Sequence, residues 1–512
     1  MSITLRPERV RSDGERPSAS ARPLDAVWVA VFATVVSAAG AARPSLWFDE
    51  AATISASTRS VPDLWRMLGN IDAVHGLYYL LMHGWFAVFP ATEFWSRLSS
   101  SIAVGVAAAG VVTLGGRLST RSVGVTAGVV FALLPRVTWA GLETRSYALT
   151  MVTGVWLTVL CLAALRRDRP RWWTGYALMA AGATVLNVFS VLLLPVHALM
   201  VLAMGASKRT RWHWTLATVV ACAASAPFLF FTQTQLFQVG WISPLGARTV
   251  GMMLVDQYFD HSLPAAVMAG LLIVAGLVSW RRAGWRPRRL VAISLAWIVL
   301  PTVAVLVYSL LGDPVYYPRY LSFTAPAMAL VLGACIVALA RSSRVAITVL
   351  LVIFAVVATP NYLSQRGPYA KEGMDYSQVA DVITRHAAPG DCLVMDNSTA
   401  WKPGPIRPLT AARPAAFAKL HDYGRGPTGI DRNMLWDAHI AVWTWADKMP
   451  GCPALWTVSE HDTHRPAHEQ GPALPAGPRL ERALAYQIPH RLGFRIVERW
   501  QFSFAQVTKS IR

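Results

Sequence analysis

Charge is what this chain of 512 residues is short of: Asp, Glu, Lys and Arg make up 15% of it, against 54% hydrophobic residues. That excludes an ordinary soluble domain, in which about a quarter of the residues are charged. Acidic residues are the scarcer sign, 28 against 47 Lys and Arg, so the formal net charge is +19. The excess does not make a nucleic-acid face. Most of the Arg sits in short loops between apolar runs, where it orients helices and meets anionic lipid. Cysteine is sparse as well, and five are too few for a disulfide scaffold. Cys161, Cys222 and Cys335 fall inside apolar runs and read as packing residues. Cys392 and Cys452 lie in the polar tail, where pairing requires a compartment outside the cytoplasm and no spacing rule decides it. No tight His, Cys or carboxylate spacing marks a metal site, so no cofactor is expected; a divalent metal is left open but not indicated. A cleavable leader is not expected either. Ala39-Gly40-Ala41 resembles a peptidase site, but the apolar run before it is longer than the roughly 7–15 residues of a signal core.

What the chain does have is apolar runs. Mean hydropathy is +0.39, and segments of about 17–25 apolar residues, each able to span a bilayer as a helix, recur as far as residue 360. The fold expected is mainly α, a polytopic membrane helix bundle of about eleven spans. Residues 1–24 are rich in Arg, Ser and Pro and read as a disordered cytoplasmic N-terminus. Residues 25–360 make the membrane domain, with a long first external loop over 44–98 in which Val61 to Leu68 and Gly76 to Val88 are helical and rich in aromatics. A break near Asn187 divides two spans within 173–205. Alternating the spans from a cytoplasmic start puts 21 Lys and Arg inside and eight outside before residue 361. That is the bias of a multi-pass protein of the plasma membrane with its tail outside.

The tail, 361–512, reads as a separate extracytoplasmic α/β domain. Tyr376 to His386 is a helix, Asp391 to Asp396 a buried strand, and Ala454 to Val458 another. Trp500, Phe502 and Phe504 alternate like one face of a strand. Trp401 and Trp443 are compatible with sugar stacking, though aromatics of this kind are commonly core.

The polar residues that stand out gather at external ends of spans. They are Asp49 and Glu50 in Trp47-Phe48-Asp49-Glu50, Asp72 and His75, Glu143 and Arg145, His261, Asp313, and Arg319 with Tyr320. The middles of the spans are nearly free of charge. A transporter places ionisable groups near the midplane; this arrangement suits a site at the outer membrane face. An acidic residue there can take a hydroxyl proton, and Arg with Tyr can hold a phosphate. Each group also has a plainer use: Asp-Glu pairs cap helices, Arg anchors at interfaces, and His packs.

Together these residues resemble the GT-C membrane glycosyltransferases, in particular glycosyltransferase family 39 and the protein O-mannosyltransferases, in an actinobacterial-type member. The resemblance lies in Trp47-Phe48-Asp49-Glu50, His75-Gly76-Leu77-Tyr78-Tyr79-Leu80-Leu81, Arg97-Leu98-Ser99, Glu143-Thr144-Arg145-Ser146-Tyr147 and Arg319-Tyr320-Leu321, and covers roughly residues 25–360. Many relatives carry His-Pro-Pro where this chain has His75-Gly76-Leu77. The resemblance implies a polyprenyl-phosphate sugar donor, most often of mannose, and an envelope glycolipid, polysaccharide or protein acceptor. It implies that Asp49 is the base with Glu50 beside it. Arg319, Tyr320 and Arg145 would hold the donor phosphate, and His75, Glu143, Tyr147 and His261 would shape the site. Arabinose transfer is the alternative within the superfamily, and a flippase for lipid-linked sugar the alternative outside it.

Overall fold

The computed structural model describes residues 22–283, 288–396 and 407–512; the expectations for the first 21 residues and for Trp401 lie outside the described residues. The chain starts with α1 (Pro23–Ala38) and then runs through three helices of the first loop, α2 (Phe48–Ser57), α3 (Val61–Leu68) and α4 (Gly76–Phe86). Ser60 caps α3 by accepting from the Asp63 backbone N–H at 3.3 Å, as a Ser before a Val-Pro start should. The bundle continues with α5 (Glu93–Leu118), α6 (Arg121–Leu133) and the short α7 (Pro135–Ala140). Pro135, which has no N–H to donate, separates α6 from α7. Next come α8 (Tyr147–Arg167), α9 (Pro170–Leu186), α10 (Leu193–Ala203) and α11 (Lys208–Gln233). The break between α9 and α10 falls at Asn187, whose side chain donates to the Tyr320 carbonyl at 3.3 Å.

Two short helices follow, α12 (Ala247–Gly251) and α13 (Gln257–Phe259), then α14 (Leu263–Ala283), α15 (Arg288–Leu311), a 3-10 helix over Pro318–Thr324, α16 (Ala325–Leu339) and α17 (Arg344–Ser364). Seven of the described helical segments are long and apolar enough to cross a membrane, and three shorter apolar ones accompany them. The chain is a multi-pass membrane protein. The segment Pro318–Leu339 is its inner helix, 89% buried, whereas Arg344–Ser364 is only 11% buried and faces outward. Close approach of backbones holds the centre: a Cβ on Gly124 would sit 2.5 Å from the Val112 carbonyl oxygen, so α5 and α6 meet at a distance only glycine permits.

The tail begins with α18 (Tyr376–His386), includes α19 (Arg407–Ala412), and builds a five-stranded sheet in the order β1-β2-β5-β4-β3. Its strands are β1 (Cys392–Met395), β2 (Leu455–Glu460), β3 (His468–Leu474), β4 (Arg495–Gln501) and β5 (Ala505–Ile511). β1 and β2 are parallel with Cys392 opposite Leu455, and the other pairs are antiparallel. Trp500, Phe502 and Phe504 do not share one strand: Trp500 is the last residue but one of β4, and the other two lie in the tight turn to β5, closed by the Phe502 N–H donating to the Ala505 carbonyl at 2.8 Å. Cys392 and Cys452 form a disulfide with Cα atoms 5.7 Å apart. The tail does not stand apart in packing. Leu46, Trp47, Ala51 and Ile54 from the first loop belong to the same apolar cluster as Val379, Ile383, Leu393 and Val458.

Candidate active site

The site begins at the first turn of α2. Successive helical residues point about 100° apart, so neighbouring carboxylates serve different sides. Glu50 turns inward and is fully buried. It takes a two-pronged ion pair from Arg97, Nε to Oε1 at 2.8 Å and Nη2 to Oε2 at 2.5 Å, and accepts from the Thr144 N–H at 3.1 Å. The remaining donors of Arg97 reach the carbonyls of Ala41, Pro44 and Ser45 at 2.7–2.8 Å, which satisfies the whole guanidinium. Glu50 therefore clasps α2 to α5 through Arg97, which also holds the chain leaving α1, and Glu50 is not among the cavity-lining residues. This removes it from the catalytic pair that the sequence led us to expect.

Asp49 turns the other way, into a cavity of about 360 Å³. Its Oδ1 lies 3.1 Å from Arg145 Nη2 and its Oδ2 3.4 Å from Arg319 Nη2. Burial alone would push the Asp49 carboxyl up, but the Arg145 and Arg319 guanidiniums outweigh it and hold it below the usual carboxylate range. Arg145 is delivered by the turn before α8, where Tyr79 of α4 accepts from its Nη1 at 2.8 Å and in turn donates to Asp72 Oδ2 at 2.6 Å. Arg319 and Tyr320 come from the 3-10 helix before α16. Four rings surround the Arg319 guanidinium: Tyr317 at 4.9 Å, Trp47 at 5.4 Å, Trp241 at 5.8 Å and Tyr147 at 6.0 Å from ring centre to Cζ. The buried Nε atoms of Arg145 and Arg319 have no hydrogen-bond partner among the described residues. Two guanidiniums with donors to spare, facing one carboxylate, can accommodate a further anion.

His75 lines the same cavity with its Nδ1 unpartnered and its ring 5.8 Å from that of Tyr79. Burial first, and then the Arg145 charge, push its pKa down to about 4, so it is neutral at pH 7. Tyr147 and Tyr320 are also in the lining, and the Tyr320 ring stacks on Phe189 at 5.9 Å. The rest of the lining is mainly apolar, with Leu186, Val188, Leu236, Val239 and Val315, and is interrupted by the polar Asn187, Thr232, Gln235 and Gln238. Guanidiniums beside a mainly apolar lining fit a ligand with a phosphate head and a hydrocarbon chain.

Two further expected residues lie elsewhere. Glu143 sits behind the cavity wall, fully buried, where it accepts from Trp47 Nε1 at 3.1 Å and pairs with Lys371. It props Trp47 against Arg319 without facing the cavity. His261 has a largely exposed side chain paired with Asp256 at 2.8 Å and is outside the lining. Conversely, Trp241, Tyr317, Lys371 and Glu372 escaped the sequence reading. Glu372, whose Oε1 lies 3.8 Å from Arg319 Nη1, follows α17 in a turn that carries no motif. The signal for Trp241 and Tyr317 was only an aromatic in each external loop. The tail contributes too: Leu435 and Trp436 complete the cavity wall, with Trp436 tilted against Phe48 at 5.4 Å.

Among solved structures, the chain is similar to ArnT from Cupriavidus metallidurans. Against its apo form the identity is 14% and the TM-score 0.58, over 94% of this chain and 97% of that one. Against its form bound to undecaprenyl phosphate the identity is 12% and the TM-score 0.58, over the same shares. The likeness shows the fold, a membrane helix bundle with a C-terminal domain. No protein-family model and no curated protein sequence matches the chain.

Proposed function

We propose that the chain is a membrane glycosyltransferase that moves a sugar, mannose foremost, from a polyprenyl-phosphate donor to a hydroxyl of an envelope glycolipid, polysaccharide or protein. The observation that carries this reading is Asp49 held between Arg145 and Arg319 in a cavity whose remaining lining is mainly apolar. The donor phosphate lies against the two guanidiniums and its chain along the apolar wall. Binding of undecaprenyl phosphate by ArnT, which has the same fold, supports a donor of this kind. Asp49, ionised at neutral pH, takes the proton of the acceptor hydroxyl. The oxygen attacks the anomeric carbon as its bond to the phosphate oxygen breaks, and the polyprenyl phosphate leaves with its developing charge met by Arg319 and Arg145. Attack from the face opposite the leaving group inverts the anomeric centre. His75, neutral, is placed to accept or donate a hydrogen bond to the sugar. The Arg-rich loops expected inside and the disulfide in the tail support a site on the outer face of the membrane.

The test is turnover by the purified protein in lipid nanodiscs, given polyprenyl-phosphate mannose and a set of envelope acceptors. Wild type should release polyprenyl phosphate, and Asp49→Asn should lower the rate by at least about 10³-fold while eluting as wild type does on a sizing column. No turnover by the purified wild type, with Asp49→Ala leaving the transferase activity of partner enzymes intact while sugar lipid fails to cross the membrane in cells, would make the chain a flippase.

A further inference from the structure

A second cavity, of about 570 Å³, opens between the end of α2 and the tail. Ser55, Thr58 and Arg59 form one side of it, and Arg407, Asp422, Arg425 and Asp437 belong to the other. Its three guanidiniums face two carboxylates, and both carboxylates are engaged: Asp422 is paired with Arg407, and Asp437 with Arg425 Nε at 2.6 Å. Arg59 receives no carboxylate among the described residues. It is only 6% exposed, yet its partners are all neutral: the Ser55 carbonyl at 3.0 Å, the Ser55 hydroxyl at 3.2 Å and the Leu435 carbonyl at 2.9 Å. Its Nη1 has no hydrogen-bond partner among the described residues. The charges of Asp437 and Asp63 act on Arg59 only from a distance, and burial outweighs them; a buried cation with no ion-pair partner is costly, and an anion in the cavity beside it lowers that cost. Arg425, half exposed at the rim, offers such an anion a second guanidinium.

The two cavities are neighbours. Leu435 lines both, and at the rise of a helix Asp49 and Arg59 lie roughly 15 Å apart along α2 and its cap. We infer that the second cavity binds a phosphate group carried by the acceptor, at a distance from the hydroxyl that reacts at Asp49. The acceptor part of this inference rests on the glycosyltransferase reading; the anion site rests on Arg59 and its surroundings. It selects acceptors by a charge remote from the reacting centre, through Arg59, which follows the helix carrying the base, and Arg425 of the tail.

The experiment is titration of the full-length protein, in neutral phosphatidylcholine nanodiscs, with inorganic phosphate. A saturable binding event is expected that Arg319→Gln retains, that Arg59→Gln abolishes, and that Arg425→Gln weakens by about tenfold or more. Arg425 is half exposed, so its variant folds even if the loss of Arg59 disturbs the loop at Leu435. The same phosphate affinity in Arg425→Gln and Arg59→Gln as in wild type, or loss in Arg319→Gln alone, overturns the inference. Displacement of the bound phosphate by a soluble sugar phosphate identifies a glycan source, and displacement by phosphatidylglycerol doped into the nanodisc a lipid headgroup; both support the site. Arg59-dependent binding in a protein without transfer activity would sink the enzyme reading and leave the site. Transfer activity without such binding would do the reverse.

Discussion

Adjacent residues with one chemistry have two jobs here. Glu50 is a structural group and Asp49 a cavity group, although both are carboxylates in one helical turn. Glu50→Gln should cost about 3–5 kcal/mol, because it strips the charge from a buried pair and leaves Arg97 uncompensated. A fall in the thermal midpoint with any residual activity proportional to folded protein would show it; an unchanged midpoint would contradict the clasp. His75 makes a prediction about pH. Its folded pKa of about 4 lies below the ordinary 6.5, so the native state favours the neutral ring. Its contribution to stability is complete above pH 6.5 and lost as pH falls toward 4. His75→Gln should therefore flatten the fall of the thermal midpoint across that window, measured by intrinsic fluorescence. Asp49, Arg145, Arg319 and Tyr320 were legible in the sequence because each is a polar residue where an apolar run ends. Glu50 and Glu143 were legible as unusual but not as internal. A buried ion pair and an active-site carboxylate leave the same mark in a sequence, and only the partner, Arg97 or Lys371, tells them apart.

At the scale of elements, the helices of the bundle follow from length, apolarity and the Arg clusters between them, and α3 and α18 coincide with the segments read from the sequence. The helix α2 did not stand out. Its ten residues carry no apolar stripe, since seven of them are buried on all sides by the bundle below and the tail above. The strand expected through Trp500 and Phe504 failed for the opposite reason: period-two aromatics occur across a tight hairpin turn as well as along a strand. The Lys371–Glu143 pair ties the segment after α17 to the turn before α8. Lys371→Met alone should destabilise by about 3–5 kcal/mol, and Lys371→Met with Glu143→Gln should recover most of that loss, since no lone charge then stays buried. Unfolding in graded denaturant measures both. Full additivity of the two single variants would mean that the pair is not coupled.

For the whole molecule, the disulfide closes 60 residues of the tail. Cys392→Ser with Cys452→Ser should cost about 2–5 kcal/mol. The tail shares its apolar cluster with α2, so the loss should appear at the membrane domain as faster protease cleavage in the loop 44–98, and not only within the tail. Cleavage confined to the tail would show that the two parts unfold independently. The bundle was legible in the sequence through hydropathy, which is a property of each segment alone. The union of tail and first loop was not, because it depends on contacts between residues more than 300 positions apart, such as the Leu46 N–H with the Ser377 hydroxyl at 3.0 Å.

Trp436 lies against Phe48, the residue next to Asp49, and comes from far along the chain. A relative that acquired a different tail at this junction would inherit the helices intact but a cavity with one wall missing. The shape of that cavity would therefore change by rewriting a few residues around 435 in place, and grafting whole modules onto the bundle would open it.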